Sequence, residues 1–211
     1  MQRHAANRIR TVLVEKVPRT SSATEGDRMA KVKSRHFRCG ICGRDHPGLP
    51  TEWGFREPDE VFALSYIGKY QRVRSNADLC TLDESRYYLR GRLRLPFTNA
   101  NGEFGWGIWI EVSEDHHDLY ASQILREAEG KSSPQYRLKG RIANSIPGYR
   151  STLGVAVDVL LGDAGERPSV WLPCRSRHTL AREQAGGIST ARHHQLLEAC
   201  GYFEAEADKT T

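Results

Sequence analysis

The middle of the chain alternates apolar and polar residues with the two-residue period of a β-strand. Over residues 87–95, leucines occupy one face and arginines occupy the other. Over residues 104–112, large apolar residues again fall at every second position, and the turn signal at residues 99–102 separates the two runs. The pattern predicts an antiparallel hairpin with one face on a core. The arginines of its polar face are Arg90, Arg92 and Arg94.

Shorter segments show the same strand period or the period of an amphipathic helix. The predicted helices span residues 65–75, 113–129 and 189–199, with Ser65, Ser113 and Ser189 as their N-caps. The other predicted strands span residues 79–82, 136–143, 152–161 and 168–172. Consecutive strands with short turns favour an α+β fold, in which helices flank a mainly antiparallel β-sheet.

Composition divides the chain into three parts. Residues 1–28 are polar and lack sustained periodicity, which predicts a disordered basic extension. Residues 29–57 hold a Cys-x-x-Cys zinc knuckle, and residues 58–211 form the α+β body. We expect the ribbon-like knuckle to dock on the sheet, so that knuckle and body make one domain. Met29 is an alternative translation start, and the extension before it is expected to be dispensable for folding.

The net charge of +5 first suggests a nucleic-acid partner. Residues 1–28 contain six basic and three acidic residues, which gives this segment +3 and leaves +2 for the rest of the chain. A body so close to neutrality has no excess of positive charge for binding phosphates. The charge distribution therefore argues against nucleic acid, and we expect a protein partner instead.

Hydropathy and cysteine content bear on the compartment. No apolar run reaches the roughly 20 residues of a membrane-spanning helix, and the N-terminal residues lack the apolar region of a secretory signal. We therefore expect a cytoplasmic protein with no membrane partner, of unknown oligomeric state. The five cysteines are an odd number, which argues against a disulfide framework. In a reducing compartment a Cys-x-x-Cys pair is typical of a metal site or a redox centre.

The strongest chemical signal is the segment Cys39-Gly-Ile-Cys42-Gly-Arg-Asp-His46. Two thiolates at this spacing can bind one metal ion from a tight turn, and the glycine after each cysteine lets the backbone fold around it. A closed zinc site needs four ligands. His46 is the nearest third ligand, and Cys80, in a predicted strand, is the best fourth. The sequence thus predicts one structural zinc held by Cys39, Cys42, His46 and Cys80.

Each of these ligands also has a plainer interpretation. Cys39 and Cys42 are alternatively ordinary thiols or a redox pair, although a redox pair is expected at a helix N-terminus and a turn follows here. Cys80 is alternatively a small buried residue, and His46 is alternatively a residue of a surface turn. His36 is a competing ligand for the metal. The histidine doublets at 116–117 and 193–194 are interpreted as helix-surface residues, because neighbours on a helix point about 100° apart.

Function has no positive enzymatic signal, because the sequence contains no recognisable catalytic motif. The leading hypothesis is a non-catalytic zinc protein that binds another protein through an aromatic contact surface. Its tryptophans are Trp53, Trp106, Trp109 and Trp171, of which Trp106 is expected in the core. The first alternative is an enzyme whose arginine row, residues 90–94, holds an anionic substrate. The second is a nucleic-acid-binding protein.

An ordered set of short motifs runs through most of the chain. It comprises Cys39-x2-Cys42-Gly-x2-His46, Gly48-Leu-Pro50, Asp78-Leu-Cys80, Leu89-Arg-Gly91, Phe104-x-Trp-Gly-Ile-Trp109, Pro147-x-Tyr149, Arg167-Pro168 and His178-x-Leu180. With this set the chain resembles the bacterial family called domain of unknown function 2199, over residues 37–203. The resemblance implies a small bacterial protein with a cysteine pair near its N-terminus, and it implies no activity.

Overall fold

The computed structural model describes residues 37–43, 45–46, 48–132, 134–162 and 165–203. They belong to one compact unit, Arg35–Thr211, and the predicted extension over residues 1–28 lies outside the described residues. The elements of the described part are β1 (Phe37–Arg38), β2 (Asp45–His46), β3 (Glu52–Gly54), α1 (Asp59–Phe62), α2 (Tyr66–Arg72), β4 (Val73–Ser75), β5 (Leu79–Leu82), β6 (Arg86–Pro96), β7 (Glu103–Val112), α3 (Glu114–Ala128), β8 (Tyr136–Ile142), β9 (Ala156–Leu161), β10 (Ser169–Trp171), α4 (Thr179–Gly186) and α5 (Thr190–Ala199). None of these helices is long and apolar enough to cross a membrane.

All three predicted serine caps are confirmed. Each serine has extended backbone, and its hydroxyl accepts a hydrogen bond from the amide three residues later. The distances are 3.1 Å from Gly68 N to Ser65 Oγ, 3.3 Å from His116 N to Ser113 Oγ and 3.1 Å from Arg192 N to Ser189 Oγ. These bonds satisfy amides that the first turn of a helix leaves free, so they fix where α2, α3 and α5 begin.

The helix predicted over residues 65–75 is too long at its C-terminal end. The backbone becomes extended at Val73, and Val73–Ser75 pairs antiparallel with β5 as strand β4. A β-branched residue suits this change, because its side chain packs well on a pleated surface. The result is a short helix, α2, mounted at one edge of the sheet.

The predicted hairpin is confirmed as β6 and β7, which pair antiparallel from Tyr87–Val112 to Pro96–Glu103. The register places Leu93 opposite Trp106, so the leucines of β6 share one face with Phe104, Trp106, Ile108 and Ile110 of β7. Those residues are fully buried in the main core. The alternation in the sequence therefore determined both the pairing and the face that turns inward.

The sheet closes on itself, which the sequence did not predict. From β7 the chain continues antiparallel through β8, β9 and β10, and β10 then pairs parallel with β6. Five strands, β6 to β10, thus form a small barrel, while β3 pairs parallel with β7 and β5 and β4 extend the sheet beyond β6. The α+β prediction is confirmed at this level: the sheet is mainly antiparallel but closed.

Three helices cover the closed sheet and complete its core. Tyr120 of α3, Leu180 of α4 and Leu196 and Leu197 of α5 are all buried in the same cluster as Trp106. Burial of one apolar side chain of this size stabilises the fold by about 1.5–3 kcal/mol, so α5 is a structural part of the domain. The position of α5 also determines where its histidines lie, and one of them belongs to the candidate metal centre described below.

We expect the closure of the sheet to depend on Gly91 in β6. A Cβ at this position would lie 2.5 Å from Val170 Cγ2 in β10 and 2.9 Å from Ile110 Cδ1 in β7. Gly91→Ala is therefore expected to lower the free energy of unfolding by about 1–3 kcal/mol through overpacking. Urea denaturation measures it, with Gly186→Ala as the control, because that site has open space around it. Equal stability of the two variants would contradict this packing.

A second, smaller core lies on the outer face of the hairpin. It contains Val61 of α1, Cys80 and Leu82 of β5, Tyr88 of β6 and Trp109 of β7, all buried. Burial explains why Trp109 occurs on the face of the hairpin that carries the arginines. The cluster holds α1 against the sheet and fixes the segment between β3 and α1.

One buried asparagine joins three parts of this region. Asn144 is fully buried, and its Oδ1 accepts a hydrogen bond of 2.7 Å from the Trp109 amide. Its Nδ2 donates bonds of 2.9 Å to the Glu57 carbonyl and to Asp59 Oδ1. The other Asp59 oxygen accepts a bond of 2.7 Å from the Ser145 amide. The start of α1 is therefore tied to β7 and to the segment that follows β8.

Candidate metal centre

The cysteine pair lies in the turn between β1 and β2. The two strands pair antiparallel, with Phe37 opposite His46 and Arg38 opposite Asp45. Inside the turn the Gly43 amide donates a hydrogen bond of 2.8 Å to the Cys39 carbonyl. Gly43 has a φ of 69°, a left-handed conformation that favours glycine and that reverses the chain immediately after the second cysteine. The glycine predicted to shape the knuckle therefore does so.

The backbone of the turn surrounds the Cys39 sulfur with hydrogen-bond donors. Cys39 is 3% exposed, and burial raises the pKa of its thiol. The backbone amides of Cys42 and Ile41, together with the Cys42 side chain, donate hydrogen bonds that lower the pKa by more. The pKa of Cys39 is therefore below its ordinary value, which favours the thiolate, the form that binds metal.

A histidine from the other end of the described chain joins the two cysteines. Single ligand atoms of Cys39, Cys42 and His194 all lie within 4.8 Å of one another. Ligands of one tetrahedral zinc are about 3.3–3.8 Å apart, given bond lengths of about 2.0–2.3 Å. The group therefore needs only small side-chain movements to bind one ion. Two sulfurs and one imidazole nitrogen supply three of the four ligands of a tetrahedral zinc.

His194 lies on α5, near the C-terminal end of the described chain. It is 4% exposed, and its ring stacks on Phe203 with a centroid distance of 4.3 Å and an interplanar angle of 21°. The interpretation of residues 193–194 as surface histidines is therefore wrong. Both are buried because α5 packs its Leu196 and Leu197 into the core, which brings the preceding turn against the sheet and the knuckle.

The neighbouring His193 fixes the rotation of α5. Its Nε2–H donates a hydrogen bond of 2.9 Å to the Pro50 carbonyl, and its ring packs against Phe104 at 4.7 Å and Phe97 at 5.2 Å. Burial lowers the pKa of His193, although the Pro50 carbonyl opposes this effect. Pro50 lies four residues after His46, the last residue of β2. One histidine thus holds the helix to the knuckle segment, and the next faces a different direction, toward the cysteines.

The other two predicted ligands have different outcomes. The structure places His46 in β2, opposite Phe37, but its side chain lies outside the described residues. Cys80 is not part of the three-residue group. It is buried in the second core with Val61 and Trp109, where burial and the charge of Glu57 raise the pKa of its thiol to about 11. That environment favours a protonated thiol, as expected for a packing residue.

The arginine row predicted as an anion site is largely neutralised. Arg92 pairs with Glu52 and lies 3.6 Å from Glu103 Oε1. Arg94 lies 3.3 Å from Glu103 Oε1 and 3.7 Å from Glu166 Oε2. Three carboxylates thus share two guanidinium groups, which leaves no positive charge there for an anionic substrate.

Arg90 differs from its neighbours, because no carboxylate of the described residues lies within 4.0 Å of it. Its guanidinium carbon is 6.0 Å from the Trp109 ring centre, and a Cβ on Gly54 would lie 2.8 Å from its Nη2. The side chain thus extends over the glycine backbone of β3. Burial and the nearby charge of Arg167 lower the pKa of Arg90, and Asp78 opposes them.

Comparison with known proteins bears on the same region. A family model for proteins described as uncharacterized and conserved in bacteria matches residues 38–188. The match contains both cysteines and all five strands of the closed sheet, and it ends before α5. Searches of curated proteins and of solved structures returned no match. The resemblance inferred from the motifs is confirmed, and the chain belongs to the bacterial family called domain of unknown function 2199.

Proposed function

We propose that this protein contains one structural zinc, bound by Cys39, Cys42 and His194, and that it acts by binding another protein. The observation that supports the metal is the convergence of three ligand atoms within 4.8 Å from distant parts of the chain. Sulfur and imidazole ligands in this ratio favour zinc over magnesium or calcium, which prefer oxygen. His46 is the proposed fourth ligand, because the register places it at the base of the same turn.

The zinc would join the hairpin of β1 and β2 to α5, in addition to the hydrogen bond from His193 to the Pro50 carbonyl. Strands β1 and β2 contain two residues each, and a hairpin of this size is not stable on its own. A metal bound to the turn and to α5 would attach the hairpin to a helix that is already fixed by the core. The free energy of metal binding would then contribute directly to folding, as in other small zinc modules.

Protein binding is supported by an exposed apolar surface on α1 and α2. We call Phe62, Tyr66, Ile67 and Tyr70 the aromatic surface. Their exposed fractions are 69%, 86%, 66% and 79% in the same order. Large apolar residues that are clustered and exposed to this degree are typical of protein interaction sites. Of the four tryptophans predicted for this role, Trp106 and Trp109 are buried, Trp53 is half-buried, and Trp171 of β10 is 47% exposed.

The same observations favour a binding protein over the two alternatives. An enzyme acting on an anionic substrate was suggested by the arginine row, but Arg92 and Arg94 are engaged by carboxylates. A nucleic-acid interface needs a basic surface, and carboxylates engage six of the described arginines, at positions 72, 86, 92, 94, 167 and 192. The aromatic surface supplies the positive evidence that neither alternative has.

Elemental analysis of protein purified without chelator tests the metal. We expect about one zinc per chain in the parent protein, and less than a tenth of that in Cys42→Ser. The matched control is Cys174→Ser, because Cys174 is an exposed free thiol outside the group and its loss should leave zinc content unchanged. Parent protein that contains less than a tenth of an equivalent would overturn the proposal.

A further inference from the structure

Resting on the protein-binding role, we propose that the aromatic surface binds a segment of a partner protein that combines apolar side chains with a carboxylate, and that this carboxylate pairs with Arg74. The chemistry of this partner segment follows from the exposed apolar side chains of α1 and α2 and from the charge of Arg74 in β4.

The apolar residues of α2 are not used for folding. Tyr66 and Tyr70 are four residues apart and therefore share one face of the helix, and α2 contains no buried residue. Helices of this length do not form in isolation, so α2 must be held by contacts other than its apolar face. The Ser65 cap at its start and the continuous passage into β4 at its end provide them.

The cations of α2 are already paired. Lys69 forms an ion pair with Glu57, and its Nζ lies 5.3 Å from the centre of the Phe62 ring. Arg72 makes two hydrogen bonds to Asp83, of 2.8 Å and 2.6 Å. These pairs fix the helix against the sheet, and they leave little charge of either sign for a partner.

Arg74 is the exception beside the aromatic surface. Its Nη1 donates hydrogen bonds of 2.9 Å to the Val73 carbonyl and 3.3 Å to the Tyr70 carbonyl, which places the guanidinium group next to Tyr70. Within the described part of the chain no carboxylate lies within 4.0 Å of it. The bonds to carbonyls involve Nη1 alone, so the Nε and Nη2 donors match the two oxygens of a carboxylate.

Charge complementarity decides among possible occupants of the surface. Asp83 and Glu84 line the same surface pocket as Arg74, but neither forms a direct ion pair with it. An apolar patch edged by a guanidinium without a direct ion pair matches an apolar segment that contains an aspartate or a glutamate. An anionic membrane is matched better by clusters of four to eight basic residues, and here Glu57 and Asp83 neutralise the neighbouring cations. In a symmetric pair of copies the aromatic surface would face itself, and its four residues carry no carboxylate to pair with Arg74 of the other copy. A partner protein is therefore the occupant that we propose.

Selection from a display library of random 12-residue peptides on the full chain tests the inference. We expect the enriched peptides to combine aromatic or aliphatic residues with at least one acidic residue. The double variant Tyr66→Ser/Tyr70→Ser should weaken the binding of an enriched peptide at least tenfold. Because both side chains are exposed, zinc content and circular dichroism of this variant should match those of the parent.

A charge reversal makes the test specific. Selection on Arg74→Glu should replace the acidic preference by a preference for lysine or arginine, and selection on Arg137→Glu, at an exposed arginine of β8, should not. An unchanged preference on Arg74→Glu would overturn the inference and leave protein binding intact. If no peptide is enriched on the parent chain, the protein-binding role itself fails. Two other results would also overturn the inference: self-association of the chain, or its binding to phosphatidylserine vesicles, if the tyrosine double variant abolishes it. Either result would show that the aromatic surface binds a second copy or a membrane.

Discussion

Replacing His194 by alanine is expected to lower the free energy of unfolding by about 3–5 kcal/mol and to remove the bound zinc. A structural zinc with cysteine and histidine ligands contributes about 10–16 kcal/mol of binding free energy. Loss of one ligand removes a large part of this free energy. The substitution also leaves a small cavity beside Phe203, on which the imidazole stacks. Urea denaturation monitored by tryptophan fluorescence measures the change.

A chelator separates the metal effect from the packing effect. Chelation should destabilise the parent protein by an amount similar to the metal part of the His194→Ala effect, and it should have no further effect on that variant. Equal destabilisation of parent and His194→Ala by chelator would show that His194 is not a ligand. Cys80→Ala tests whether Cys80 is a zinc ligand, as the sequence predicts. If this variant retains its zinc, Cys80 serves only in the packing of the second core.

Replacing Asn144 by alanine is expected to lower the free energy of unfolding by about 3 kcal/mol. The change removes the acceptor for the buried Trp109 amide and the donor for the Glu57 carbonyl. A buried polar group left without its partner costs about 1–3 kcal/mol. It also removes a hydrogen bond to Asp59 at the start of α1.

Asn101→Ala is the matched control, because Asn101 is exposed in the turn between β6 and β7. It should change stability by less than about 0.5 kcal/mol, as is usual for surface positions. The comparison requires denaturation curves of equal slope, which show that the folded and unfolded states are otherwise unchanged. Similar stabilities of the two variants would mean that Asn144 does not join α1 to the sheet.

Local signals in the sequence determined most of the elements, because the interactions that form them are local. A serine before an amphipathic run places its hydroxyl near free amides whatever the rest of the fold does, so the caps at Ser65, Ser113 and Ser189 were predictable. The hairpin was predictable for a similar reason, since alternation requires one face to turn inward.

Elements without such signals were missed. Helix α4 buries Leu180 and Gln184 only, and its N-cap is His178, so neither an apolar stripe nor a common capping residue marks it in the sequence. The parallel pairing of β10 with β6 joins strands that are far apart in the chain. Such closure depends on how tightly the sheet twists, which strand patterns alone do not specify.

The candidate site was predicted only where its residues are close in sequence. Cys39 and Cys42 lie within one turn, whereas His194 reaches them because α5 folds back on the core. One signal for its burial was present. His193 and His194 precede Leu196 and Leu197 at helical spacing, which indicates a buried face that contains both histidines. The aromatic surface was not predicted, because the sequence alone does not show that α2 leaves its apolar side chains exposed.

The most direct test of the account is X-ray absorption at the zinc edge of the full chain, purified without chelator. We predict a four-ligand shell with two sulfurs at about 2.3 Å and nitrogen ligands at about 2.0–2.1 Å, and no zinc signal from His194→Ala protein prepared in the same way. A shell with three or more sulfurs would contradict the assignment of His194 and require another cysteine at the metal. A shell of oxygen and nitrogen alone, or protein that binds no zinc, would contradict the metal centre as a whole.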